Sequence, residues 1–474
     1  MSPKKFYSAA SWLVLACLVV PMFASYYFDD MFSSISYLFE HPALTQLGWD
    51  AAGYGLYASG YSVLCVFGGL VVCGVLLDKW GVRITGSIFV GMMAAGAGLV
   101  TWSLLSGVSC SLQAAYVGCM LFGLGSEIAG TAVTRSIAKW FRGGPMALAM
   151  GLQLAIARLG TAFALVLSPK LVVQQAGHVY TLSETARPAL VGMGLMALGL
   201  ILWALFVALD ARSDHSAAAE QDAGKGAFSV ANNRADAPEN ATSPSASPSA
   251  PDETSSSASN DDEAFRFKDV LKVLGNRNFW LLALLCVLFY SSIIAFKKFA
   301  GAILIPRFDI PAQAAGWMVS MLPFSTVIFA PLFGMLVDKF GHGTRWMVLG
   351  SFLALIAHLL LAFAPAGVSF WGYLAMVFLG FGYSLVPAAL WPSVPKIVPD
   401  KVLGTTFALI YWVQNLGLLS FKWLSGLILG SSENGPVSVE LMFVGLCIAA
   451  VAVAFLFLRT SSTHPELALD APNR

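Results

Sequence analysis

Charge is what this chain has least of. Asp, Glu, Lys and Arg make up 11% of its 474 residues, against about 25% in soluble domains. The 26 acids and 27 bases nearly cancel, leaving a formal charge of +1. That balance alone says nothing about nucleic-acid or acidic partners; no nucleic acid is expected as a partner. Cysteine is sparse too. The seven thiols, at 17, 65, 73, 110, 119, 286 and 447, include no C-x-x-C pair. A disulfide or zinc framework is thereby excluded, and the thiols read as small core residues. Neither H-E-x-x-H nor G-x-S-x-G occurs, and the loops are too short to hold a catalytic domain. No enzymatic activity, metal or cofactor is expected.

What the chain has in excess is hydrocarbon. Its residues are 57% hydrophobic, with a mean hydropathy of +0.74. Twelve apolar segments follow one another, at about 11–31, 54–77, 84–105, 113–137, 145–168, 188–209, 278–304, 314–337, 345–364, 368–394, 402–429 and 438–458. Each approaches the roughly 20 residues that cross a bilayer. Lipid cannot satisfy backbone polar groups, so every segment is expected to be a helix. The fold class is all-α integral membrane, with the lipid bilayer as solvent. Lys4 and Lys5 before an apolar run resemble a secretory leader, but the run continues through Pro21 to Met31 as a spanning segment. Residues 211–265 are rich in Ala, Ser, Pro, Asp and Asn. Such a composition cannot bury a core, and a disordered linker is expected. It separates an N-terminal six-helix bundle (1–210) from a C-terminal one (266–474).

Basic residues in the loops give the orientation. Lys4 and Lys5, Lys79 and Arg83, Lys139 and Arg142, Lys339 and Arg345, and Lys396 and Lys401 occupy alternate loops, while the loops at 39–52, 106–112, 365–367 and 430–437 hold no Lys or Arg. Lys170 and Arg307 are exceptions. Both termini and the linker are expected in the cytoplasm, so the formal glycosylation acceptor Asn240-Ala-Thr242 should go unmodified.

Against this background Arg158 stands out. It lies near the middle of an apolar run from Pro145 to Pro169. An arginine at a helix centre costs about 2.5–3.5 kcal/mol on insertion scales. It should therefore face a protein interior or a watery cavity, paired with an acid or awaiting an anion. A structural ion pair and a substrate site are both open readings. Glu127 lies about eleven residues before the cytoplasmic end of the fourth segment, and Arg158 about thirteen residues into the fifth. At 1.5 Å per residue those depths agree within about one turn. Neighbouring antiparallel helices could then bring the two into contact.

Two internal echoes frame this pair. Gly74-Val-Leu-Leu-Asp78-Lys79-Trp80-Gly81 returns 260 residues later as Gly334-Met-Leu-Val-Asp338-Lys339-Phe340-Gly341, with Arg83 and Arg345 following. Deeper in the halves, Gly123-Leu-Gly125-Ser-Glu127 matches Gly380-Phe-Gly382-Tyr-Ser384, offset by 257, and the same offset carries Arg158 onto Asn415. The chain resembles the major facilitator superfamily on these signatures. It is similar, more specifically, to that family's lysosomal dipeptide transporters. Phe122–Glu127, Trp140-Phe141, Gly151–Gly160, Gly382–Leu385, Ala389–Pro392, Val398-Pro399, Leu403–Thr405 and Gln414–Gly417 carry the likeness. An arginine that the resemblance implies just before the fourth segment's glycines is Cys119 here.

The resemblance implies twelve helices in two bundles that alternate access to a central site, a small-molecule substrate, and Glu127 and Arg158 in that site. It also implies that Asp78, Arg83, Asp338 and Arg345 help hold the cytoplasmic side closed. A dipeptide suits the chemistry: its ammonium wants a carboxylate and its carboxylate a bidentate guanidinium. Tyr383, Trp391, Tyr411, Gln414 and Asn415 are candidates for the opposite wall. Asp29 and Asp30 at the end of the first segment, with Lys297 and Lys298 in the seventh, are candidates for an outer gate. Lys422, at similar depth, is a third cationic candidate for that gate, and His358 reads as peripheral packing. A carrier of small organic anions, proton-coupled or not, is the second reading, and a non-transporting sensor the third. A functional monomer in a bacterial-type inner membrane is expected, because no acidic dileucine sorting signal precedes the first segment.

If the linker contributes no core, deleting about 215–260 while keeping enough chain to span the bundles leaves folding and ligand binding nearly unchanged. Loss of binding by such a purified variant would refute the linker reading.

Overall fold

The computed structural model describes residues 9–142, 145–172, 178–235, 273–398, 402–432, 434–463 and 469–471. The first bundle comprises α1 (Ala9–Asp30), α2 (Ala51–Leu64), α3 (Leu70–Ser106), α4 (Ser111–Trp140), α5 (Met146–Leu171) and α6 (Leu182–Ala235). The second comprises α7 (Arg277–Phe308), α8 (Ala312–Phe340), α9 (Gly343–Phe363), α10 (Ser369–Ile397), α11 (Leu403–Ser431) and α12 (Gly435–Thr463). Among the described residues, ten helices are long and apolar enough to cross a membrane. The other two crossings are α11 and the rod formed by α2, the π-turn Cys65–Gly69 and the start of α3.

Packing repeats at an offset of six helices. In the first bundle α1 packs on α5 and α6, α3 on α4 and α6, and α2 on α4; in the second α7 packs on α11 and α12, α9 on α10 and α12, and α8 on α10. Between bundles, α2 packs on α11 and α5 on α8, again a pair related by the pseudo-two-fold axis. The signature repeat marks equivalent corners. Gly81 breaks α3 with φ of 73°, and Gly341 ends α8 with φ of 65°, a left-handed region that disfavours any side chain.

Two sequence expectations need correcting, and a third feature was not foreseen. First, α6 does not stop at 209 but runs on to Ala235. The 211–235 stretch is rich in alanine with Glu, Gln and Lys, all strong helix formers, so half of the expected linker is helical. Residues 236–265, with Asn240, lie outside the described residues. Second, His358 is not plain packing. Its Nδ1 lies 2.7 Å from Glu440 Oε2 of α12, both groups fully enclosed. Glu440 was overlooked because it stands close to a helix start. Third, the chain beyond α12 folds back. Leu469 is buried, and Asp470 Oδ1 accepts from Thr344 N at 2.9 Å and Thr344 Oγ1 at 2.8 Å. Ser461 Oγ donates to Asp470 Oδ2 at 2.7 Å, and Lys396 Nζ donates to the Ala471 carbonyl at 3.1 Å. Asp470 thus caps α9 from across the bundle, where His342 supplies no side-chain cap.

Six of the seven cysteines are buried, as expected of small core residues, but Cys110 at the start of α4 is exposed.

Losing a capping carboxylate costs about 0.5–2 kcal/mol. Asp470→Ala is therefore expected to lower the thermal midpoint in detergent by a few degrees. Thr344→Val should do the same, and the double variant little more than either, because the two act as one unit. Fully additive losses would overturn the capping assignment.

Candidate functional site

The bundles meet tightly near the face opposite the basic loops and part near the basic face. A Cβ at Gly55 of α2 would stand 2.9 Å from Gly426 Cα of α11, and one at Gly316 of α8 would stand 2.3 Å from the Leu165 carbonyl of α5. By contrast the signature glycines Gly74 and Gly334 face open space. The 3-10 turn Ser33–Glu40 adds a plug to the closed end. Ser36 Oγ accepts from Ala302 N of α7 at 3.0 Å, and Phe39 stacks between Tyr54 and Trp49 with centroid distances of 4.6 and 5.4 Å.

Beneath that plug lies an ion cluster joining α1 to α7. Lys297 Nζ is 2.6 Å from Asp30 Oδ2. Lys298 Nζ is 2.8 Å from Asp29 Oδ1 and 3.1 Å from Asp30 Oδ1, and it also donates to the Asp29 carbonyl. Thr161 of α5 donates to Asp30 Oδ2 at 2.8 Å. Tyr54 OH donates to the Lys298 carbonyl at 3.0 Å. Asp30, Lys297 and Lys298 are buried, so the charges have no water to fall back on. Of the five residues considered for an outer gate, Asp29, Asp30, Lys297 and Lys298 meet here and Lys422 does not.

Deeper along the interface sit the two central charges. They do not pair with each other, and the ionic contact expected between them is absent. Arg158 reaches from α5 across to the second bundle, where Nη1 donates to Tyr383 OH at 2.7 Å. Its guanidinium carbon lies 5.3 Å from the Tyr383 ring centroid and 5.6 Å from that of Tyr26. Glu127 Oε1 instead accepts from Tyr61 OH at 3.1 Å. The same hydroxyl lies 3.2 Å from Ser126 Oγ, which is bonded to Ser25 Oγ at 2.6 Å. The glycine echo explains the local register. A Cβ at Gly123 would meet the Tyr61 carbonyl at 2.1 Å, and one at Gly380 would meet Ser325 Oγ at 2.7 Å. Each glycine lets its helix pack hard on α2 or α8. Gly123 thereby sets Tyr61 beside Glu127, one turn further on.

An aromatic wall completes the site. Tyr290 of α7 lies 6.2 Å from Tyr383 and accepts from Trp391 Nε1 at 3.2 Å. Trp391 stacks on Tyr411 at 5.1 Å. Gln414 and Asn415 are buried, and each has a side-chain carbonyl oxygen without a partner among the described residues; the Asn415 amide donates to the Tyr411 carbonyl at 3.1 Å. Sequence reasoning missed Tyr26, Tyr61, Ser126 and Tyr290. Tyr26 stands one turn before Asp30 and Tyr290 two turns before Lys297, so helical spacing from the gate charges was the available signal.

The basic face carries its own pairs. Arg83 binds Asp210 at 3.3 Å and Asp214 at 2.5 Å, and Lys139 binds both at 2.9 Å. These contacts lie within the first bundle. Asp338 and Arg345 are exposed, and the side chain of Asp78 lies outside the described residues. Lys422 is buried but does not join the gate cluster. Its Nζ lies 5.1 Å from the Tyr61 ring centroid.

Comparison with known proteins bears on the family and the fold. The family model of the Major Facilitator Superfamily matches residues 15–419 and 294–472. The chain is 28% identical over 434 residues to the lysosomal dipeptide transporter MFSD1 of Danio rerio, covering 89% of this chain and 81% of that one. The human protein of the same name is 28% identical over 433 residues, covering 89% and 80%. The inward open conformation of the xylose transporter XylE from E. coli superposes with a TM-score of 0.66 at 13% identity, covering 95% of this chain and 96% of that one.

Removing one partner from a buried ion pair leaves an uncompensated charge and costs about 3–5 kcal/mol. Asp30→Asn is expected to loosen the closed end. Spin labels at Gln46 and Ser431, with exposed Cys110 replaced by serine, should then report longer and broader distances by double electron–electron resonance. An unchanged distribution would show that the seal does not depend on the cluster.

Proposed function

The chain belongs to the Major Facilitator Superfamily, and we propose that it carries dipeptides or similar short zwitterionic peptides across a membrane by alternating access. It is a multi-pass membrane transporter rather than an enzyme. The observation that carries the peptide reading is the separation of Glu127 from Arg158. One acid and one base at matching depth are left unpaired, although pairing would cheapen both in a low dielectric. Arg158 spends one of its five N–H donors on Tyr383, which leaves a fork for a carboxylate. Glu127 accepts one hydrogen bond from Tyr61, which leaves its second oxygen for an ammonium. A zwitterion supplies both partners at once. The names of the relatives point the same way.

The loop charges support a cytoplasmic basic face, and both termini and the linker lie there in this reading. The membrane is a bacterial-type inner membrane, and the chain works as a monomer. The arrangement described above is then closed outside and open inside. Substrate carboxylate competes with Tyr383 for Arg158, and the aromatic wall of Tyr290, Trp391 and Tyr411 packs against its body, with Gln414 and Asn415 offering acceptors. Return to the outward-facing form requires the Asp29, Asp30, Lys297 and Lys298 cluster to part. Asp78, Arg83, Asp338 and Arg345 steady the opposite, inward-closed state.

Arg158→Lys keeps the charge but loses the fork, and is expected to weaken dipeptide binding by about tenfold or more. Glu127→Gln is expected to weaken a free dipeptide much more than its N-acetylated form, which presents no ammonium. Isothermal titration on stable, monodisperse variants measures both. Equal losses for the two ligands would remove the ammonium role and favour a small organic anion as substrate.

A further inference from the structure

Lys422 is a buried charge that neither the gate nor the zwitterion reading uses. It is 2% exposed and forms no ion pair among the described residues. Its ammonium lies against the face of Tyr61, 5.1 Å from the ring centroid. A cation–π contact recovers only part of the hydration that an ammonium loses on burial. Tyr61 is also the residue whose hydroxyl holds Glu127 Oε1, at 3.1 Å. Lys422 therefore stands at the ammonium-binding end of the site, separated from Glu127 by one ring.

Charge balance sharpens the point. Asp29 and Asp30 are matched by Lys297 and Lys298, and Glu440 faces His358. Among the described residues, Glu127, Arg158 and Lys422 have no ion pairs, two positive groups and one negative at the centre. A zwitterion satisfies Glu127 and Arg158 and leaves Lys422 as it was. A peptide with one additional carboxylate removes the excess. Glu127 holds the α-ammonium, so a carboxylate within reach of Lys422 belongs to the side chain of the N-terminal residue.

We propose that Lys422 is a specificity residue that selects dipeptides with an acidic side chain at the N-terminal position. The proposal rests on the zwitterion reading of Glu127 and Arg158. An acidic side chain approaching Lys422 displaces the Tyr61 ring from the ammonium. The Tyr61 hydroxyl then leaves Glu127, whose carboxylate turns to the substrate. Recognition of side chain and ammonium are thereby linked through one aromatic residue.

The test compares Glu-Ala with its neutral isostere Gln-Ala, and Ala-Glu with Ala-Gln, by titration of the purified full-length protein. Glu-Ala is expected to bind at least tenfold tighter than Gln-Ala, whereas Ala-Glu gains little over Ala-Gln. Lys422→Met should abolish the Glu-Ala advantage while changing Gln-Ala affinity less than about threefold. Lys422→Arg should retain much of it, which separates the charge from any packing role of this side chain. If Gln-Ala and Glu-Ala bind wild-type protein equally, the selectivity is refuted while the dipeptide reading stands. If Ala-Glu gains as much as Glu-Ala, the positional assignment is refuted. If none of the four binds, the dipeptide reading itself fails.

Discussion

A charge placed in hydrocarbon must find a partner, and that constraint organises this molecule more than any other. At the closed end, two carboxylates of α1 and two ammonium groups of α7 satisfy one another, and Thr161 and Tyr54 supply the remaining hydrogen bonds. The pairing links helices of different bundles, so the cost of exposing these charges becomes a force that holds the bundles together. Within the second bundle His358 and Glu440 meet the same demand between α9 and α12. At the centre, among the described residues, Glu127 and Arg158 are left without an ionic partner, and in the proposed function a substrate fills that gap.

The helix count, the two-bundle architecture and the residues of the closed-end cluster were legible in the chain. Apolar length marks the crossings, and the repeated signatures mark the symmetry. The four gate residues were legible because adjacent acids at one helix end and adjacent lysines late in its symmetry mate are so rare in apolar sequence. The partners of Arg158 were not. Rise along a helix places Arg158 and Glu127 at one level, but rotation about two helix axes decides whether they touch. That rotation is set by packing, such as Gly123 against Tyr61, which spacing alone does not encode. Tyr383, weighed only as wall material, became the direct hydrogen-bond partner from the other bundle. Asp470 was invisible for a different reason. Its cap on α9 joins residues 126 apart, and nothing local to either end announces it.

The two bundles solve the problem of their basic-face corners differently. The first uses side-chain ion pairs from Arg83 and Lys139 to the acids of α6. The second uses the backbone start of α9 with Asp470 from beyond α12. In both, the last helix of the bundle or the chain after it returns a carboxylate to the neighbourhood of the repeated signature. Sequence repetition therefore preserves the position of the corner but not the chemistry that fastens it.

The π-turn Cys65–Gly69 interrupts the second crossing with a left-handed Gly68, φ 93°. An interruption of this kind frees backbone groups from the helical ladder, and the Val66 carbonyl takes its hydrogen bond from Trp412 Nε1 of α11 at 2.8 Å. The second crossing is thus jointed, with its upper limb clamped to the other bundle and its lower limb ending at the Gly81 elbow. A crankshaft built this way transmits rotation without demanding that the whole rod turn. Fine adjustments of Tyr61 on one limb, against Glu127 of α4, and larger swings of the signature corner on the other, become mechanically separable within a single crossing.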